Sequence, residues 1–178
     1  MRATRRQALA AAAGTSLAAA LPARAADDPD RERAERAVRD AIAGEQTTAV
    51  GFEAIANSDV LGEDKVEAMR VLLDHAKAHV AALEKLFEAQ IGDDPPLAPT
   101  RTQIDGLDDL GGERDALRLA LDLAEKGIAA HLDAIRLYRN PAMLRLIAGA
   151  MGSDAQHLVM LRSLLGQRPV PEPFERGT

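Results

Sequence analysis

Apolar and small residues recur at alternating steps of three and four through four long stretches of this chain, the spacing that lays one stripe along a helix. The first stretch runs from about Asp30 to Asn57 and carries Val38, Ile42, Glu45, Ala49, Phe52 and Ala56 on its stripe. The second, about Glu63 to Ile91, carries Met69, Leu73, Ala76, Val80, Leu83 and Phe87. The third, about Glu113 to Arg139, carries Leu117, Leu121, Ala124, Ile128, His131, Ile135 and Tyr138. Asn140-Pro141 reads as an N-cap followed by Pro at the first helical position, and it opens a fourth helix to about Leu165. That helix carries Leu144, Ile147, Met151, Asp154, Leu158, Leu161 and Leu165. Gly92 and Gly166 stand where glycines commonly end helices.

The connections predict the topology. Ser58, Asp59 and Gly62 make a short turn between the first two helices, and the last two also share a short one, so each pair forms an antiparallel hairpin. Residues 92–112, with Pro95, Pro96, Pro99 and two closing glycines, join the hairpins. A helix of about 27 residues is about 40 Å long. About 20 extended residues reach about 65 Å, so this crossover can return along the full length of the bundle. The expected fold is all-α, a four-helix bundle of two hairpins joined by one long crossover.

Three stripe positions break the apolar pattern: Glu45, His131 and Asp154. An ionised carboxylate in a bundle core is costly unless it is paired or bound to a metal. His79 follows the inward Ala76 by three residues and His157 follows Asp154 by three, which puts each pair on one helical face. All four histidines of the chain, His75, His79, His131 and His157, fall within the bundle helices. The hairpins also align with each other. Glu45 to Ala76 and Ala124 to Asp154 are nearly equal intervals, which suggests a duplication with Ala124 as the central position of the third helix.

Composition narrows the partners. The net charge is −6, and it falls to −10 without the first 25 residues, which hold four arginines and no acid. So acidic a body, with only three Phe and one Tyr to stack on, is unsuited to nucleic acid. The absence of cysteine excludes disulfides and thiolate metal sites. Residues 1–25 read as an export signal of the twin-arginine type: Thr4-Arg5-Arg6, an Ala/Leu-rich run too short to span a membrane, and Ala23-Arg24-Ala25 as a cleavage site. The expected organisation is therefore a signal at 1–25, the bundle at 26–168 and a Pro-rich tail at 169–178. The protein is expected to be exported to the periplasm, envelope or medium, and not to span the membrane.

These features resemble the ferritin-like di-iron carboxylate proteins, and in particular their small exported members with twin-arginine signals. In that superfamily two helices each give a Glu and two give Glu-x-x-His, all pointing inward. Asp154-Ala155-Gln156-His157 resembles the last metal-binding helix, and Glu45 with Phe52 resembles the first. The resemblance implies iron as cofactor. It also marks departures: Ala76 stands where the second helix has Glu, Ala124 where the third has Glu, with Glu125 one residue off the seam, and Asp154 is shorter than Glu by a methylene.

Glu45, His79, Asp154 and His157 are thus the expected metal ligands, a degenerate set with two carboxylates instead of four. Three readings follow. One is a single ion at those residues, with iron, manganese or zinc suiting the mixed donors. Another is a two-metal site in which His75, Glu125 or His131 stands in, although His131 lies two turns, about 10 Å, from Ala124. The third is a metal-free bundle whose carboxylates pair with histidines. Redox chemistry or protection against oxygen and peroxide is the function expected of the first, and a structural or binding role in the cell envelope of the last. A monomer or homodimer is expected in preference to a cage. No phosphate-binding glycine loop, Gly-x-Ser-x-Gly turn or His-Glu-x-x-His helix is present; His75-Ala76-Lys77-Ala78-His79 lacks the glutamate that the last requires.

Overall fold

The computed structural model describes residues 28–171, so the expected signal and most of the expected tail lie outside the described residues. Four helices make up the bundle: α1 (Pro29–Ala56), α2 (Glu63–Ile91), α3 (Glu113–Leu137) and α4 (Pro141–Leu164). There is no strand among the described residues, and no helix there is long and apolar enough to cross a membrane.

Local chemistry sets the helix ends. The Asp28 carboxylate accepts from the backbone N–H of Asp30 and Arg31, so α1 starts at Pro29, one residue earlier than the apolar pattern implies. Asn140 caps α4 in the same way, accepting from Ala142 and Met143 at 2.9 and 3.2 Å. At the end of α2 the chain enters the left-handed region at Gly92 (φ 77°), and its N–H donates to Glu88 O. The third helix stops at Leu137, two residues short of the expected end. Tyr138 to Asn140 must reverse the chain, and the residue before Pro141 is held out of helical geometry.

Adjacent helices run antiparallel around a square, with α1 packed on α2 and α3, and α4 packed on α3 and α2. Gln46–Glu84 and Glu53–Lys77 contacts fix the first pair, Thr48–Leu123 the second, and Arg162–Glu125 the third. The expected stripes are the core. Every stripe residue of α1 is buried, while Val80, Ile135, Tyr138, Met151 and Leu165 are half-buried at its edges. At the start of α4, Met143 takes the buried place expected of Leu144. Buried side chains such as Phe52, Phe87, Met69 and Ile147 each contribute about 1.5–3 kcal/mol through removal from water.

The core is not continuous. One apolar cluster holds Val38, Ile42, Leu83, Phe87, Met143 and Ile147; the other holds Ala49, Phe52, Met69, Ala76, Ile128 and Leu158. Between them, on each of the four helices, lies a polar residue.

The crossover runs along α1 as its length allows. Arg39 lies 4.5 Å over the Phe87 ring, donates to Asp94 O at 2.8 Å and pairs with Asp93, which fixes the start of the crossover. Gln46 donates to Pro96 O at 2.7 Å. A single 3-10 turn at Arg101–Gln103 follows, and Ile104 and Leu107 are buried against the core. At the far end Glu113 accepts from the Gly62 N–H and pairs with Lys65, tying the start of α3 to the α1–α2 turn.

Candidate metal centre

The polar layer is built from one turn of each helix. Glu45 (α1), His131 (α3) and Asp154 (α4) are buried to 1%, 0% and 4% exposure, and the His79 side chain (α2) keeps 16%. His131 Nε2–H donates to Glu45 Oε1 at 2.8 Å and lies 3.3 Å from Asp154 Oδ2. His79 Nδ1–H donates to the same Glu45 oxygen at 3.2 Å and lies 3.6 Å from Asp154 Oδ1. The two carboxylates therefore face each other with an imidazole on either side.

Small residues on α1 and α3 allow this approach. A Cβ on Gly44 would stand 3.6 Å from Ala130 Cβ and 3.7 Å from Gly127 Cα, so the two backbones are nearly in contact one residue from Glu45. Gly51 is tighter still, since any side chain there would have to displace the end of Leu123. Thr48 closes the seam with a bond from its hydroxyl to Leu123 O.

The expected duplication does not set the level of α3. Ala124 packs within the apolar cluster and His131 is the central residue of its helix. The hairpin turns differ in length, Asn57 to Gly62 against Tyr138 to Asn140, so equal spacing along the sequence does not mean equal height in the bundle. The distance of His131 from Ala124 is then irrelevant, because His131 already touches Glu45. Glu125 is held elsewhere, paired with Arg162 at 2.8 Å in a largely buried ion pair.

Three of the four expected ligands converge. One ligand atom each of Glu45, His79 and Asp154 lies within 4.8 Å of the other two. His157 flanks the group: its Nδ1 is 3.3 Å from Asp154 Oδ1, and its ring stacks on that of His79 at 6.2 Å. Its other nitrogen, Nε2, faces away, 3.1 Å from Nδ1 of the exposed His75 and 3.4 Å from Ser153 Oγ.

Electrostatics follow this geometry. Burial works against a charged His131, but its bonds and ionic contacts with Asp154 and Glu45 outweigh that and raise its pKa to about 9. Burial likewise works against the Asp154 carboxylate, yet His131 and His157 hold it well below the usual range. His79 is raised as well, its burial offset by Glu45 and then Asp154. His131 Nε2 gives its short hydrogen bond to Glu45 and stands in an ion pair with Asp154 Oδ2 at 3.3 Å. Asp154 Oδ2, Glu45 Oε2, His131 Nδ1 and His157 Nδ1 are all buried without a hydrogen-bond partner. Two buried carboxylate oxygens left open beside imidazole nitrogens suit a cation, and the residues present fit one divalent ion better than two.

A groove of about 1060 Å³ opens at the bundle end between the start of α1, the end of α2 and the α3–α4 turn. It lies about 15 Å along α1 from Glu45, is lined by Arg31, Glu35, Tyr138 and Asn140 among others, and takes no part in this centre.

Comparison with known proteins agrees with the fold. No curated protein matches the chain. Among solved structures, a conserved hypothetical protein, Rv2844, from Mycobacterium tuberculosis superposes with a TM-score of 0.69 at 18% identity, over 82% of this chain and 99% of that one. At that identity the likeness speaks for the bundle alone. The sequence model of the ferritin-like domain matches residues 9–167, and with that match the chain belongs to the ferritin-like domain family.

Proposed function

We propose that Glu45, His79 and Asp154 hold one divalent transition-metal ion, with His157 anchoring Asp154 from the outer side. The convergence of their ligand atoms within 4.8 Å carries this reading. Two carboxylates balance one divalent charge, and the mixed oxygen and imidazole donors suit iron, manganese or zinc, iron being the metal of the family resemblance. Bound iron would supply one-electron chemistry toward oxygen or peroxide. The chain's own part is to orient the carboxylates, through His131 on Glu45 and His157 on Asp154, and to shut bulk water out with the apolar clusters above and below. His79, the least buried of the ligands, marks the solvent side. The proposed role is protection against oxidants outside the cytoplasm, reached by the twin-arginine route that Arg5-Arg6 suggests, by a monomer or homodimer.

A metal-free scaffold of the envelope is the second reading. It is favoured by His131, which as an imidazolium already counters both carboxylates. Elemental mass spectrometry separates the two, on protein loaded anaerobically with ferrous iron, desalted, and compared with a Glu45→Ala, Asp154→Ala double variant. One iron per chain that the variant loses supports the site. No iron in either protein leaves the scaffold reading standing, and two that the variant loses together would restore a di-iron centre.

A further inference from the structure

The two nitrogens of His157 face different surroundings. Nδ1 points inward to Asp154 Oδ1 at 3.3 Å, while Nε2 points outward to His75 Nδ1 at 3.1 Å, with Ser153 Oγ at 3.4 Å. The residue is 2% exposed, so neither nitrogen can turn to bulk water, whereas His75 is exposed. From this arrangement we infer a second cation site, outside the carboxylate centre, in which His75 Nδ1 and His157 Nε2 grip a borderline transition-metal ion.

Three observations support it. Two nitrogens each about 2.0–2.1 Å from one ion stand about 2.8–3.4 Å apart at octahedral to tetrahedral angles, and the observed separation falls in that range. The rings lie nearly parallel, with centroids 5.3 Å apart and planes inclined by only 20°. A histidine that binds a metal through one nitrogen commonly donates its other N–H to a carboxylate, which fixes the tautomer and makes the ligand more basic. Asp154 Oδ1 stands 3.3 Å from Nδ1, in ionic contact but without a hydrogen bond, and Ser153, one turn before His157, offers an oxygen beside Nε2. The remaining positions belong to water, since His75 lies on the surface. Two imidazoles and no carboxylate select zinc, cobalt, nickel or copper over magnesium or calcium.

An ion held at His75 and His157 needs neither Glu45 nor His79, so the two sites can be tested apart. The probe is cobalt(II) with the full-length protein, using equilibrium dialysis for stoichiometry and visible absorption for the coordination of each ion. The wild type takes up a second equivalent beyond the inner one. His75→Ala, a change at an exposed position, loses that outer equivalent and its absorption band, and Glu45→Gln loses the inner one only. If His75→Ala binds as many cobalt ions as the wild type with the same spectrum, the outer site is wrong and the His75–His157 contact is only a hydrogen bond. If Glu45→Gln binds as the wild type does while His75→Ala loses one equivalent, the outer site stands and the inner one fails.

Discussion

His131 Nε2 lies 2.8 Å from Glu45 Oε1, joining α1 to α3 through the buried interior of the bundle. A cationic imidazole there does for the carboxylates what a bound ion would do, and most of the protein's testable behaviour follows from that equivalence.

Removing the imidazole should expose the need for a counter-charge. His131→Leu leaves Glu45 and Asp154 buried and facing each other with only His79 between them. Breaking a buried ionic group by deleting one partner costs about 3–5 kcal/mol. Urea denaturation at neutral pH should show a loss of that order in metal-stripped protein, and added zinc or manganese should recover part of it. A variant as stable as the wild type without metal would show that His131 is not the counter-charge.

Removing the carboxylates tests the same contact from the other side. In Glu45→Gln, Asp154→Asn protein the attraction is gone and burial acts alone on His131, so its pKa should fall from about 9 to below 6.5. A pH titration of the imidazole proton resonances reads this directly. A value that stays near 9 would mean that some other group charges the ring.

The metal-free protein should be most stable within a bounded window of pH. His131 and His79 are raised in the folded state, so their stabilisation is complete below about 6.5 and is lost as pH climbs toward 9. Asp154 is lowered, so its contribution is complete above about 4 and is lost as pH falls further. Melting temperature should therefore plateau between about pH 4 and 6.5 and decline on the alkaline side by an amount that His131→Leu largely abolishes. The shift of His131 caps its share at about 3 kcal/mol.

Close approach of α1 and α3 is what keeps His131 within reach. Gly44→Ala adds a methyl at ordinary contact distance from Ala130, and it should be neutral or stabilise by up to about 1 kcal/mol through helix propensity. Gly44→Leu overfills the seam, at a cost of about 1–3 kcal/mol. It should also return the His131 resonance toward its unperturbed pKa as the helices part. Equal behaviour of the two variants would show that the seam is slack.

The elements were legible in the chain because helix period, caps and breakers are local: Asn140-Pro141, Gly92 and the apolar stripes each act within a few residues. Glu45 and Asp154 stood out for the same reason, as charges on an apolar face. What was not legible was height. Whether His131 or Ala124 meets Glu45 depends on how far α3 slides along α1, and that is set by Gly44, Gly51, Gly127 and the unequal hairpin turns acting together. Glu125 illustrates the same gap. It sits one residue off the stripe, and its partner Arg162 lies 37 residues away on another helix. His75 is exposed, and its contact with His157 depends on the spacing of α2 and α4.

Glu45 and His79 lie on the first hairpin, His131, Asp154 and His157 on the second, and the crossover that links them contributes none of the five. A cation held there would therefore bridge the two hairpins, and its binding free energy would count toward their docking. In a chain cut within the crossover, a cation shared by the two halves would strengthen their association, adding to the apolar clusters that both halves already build.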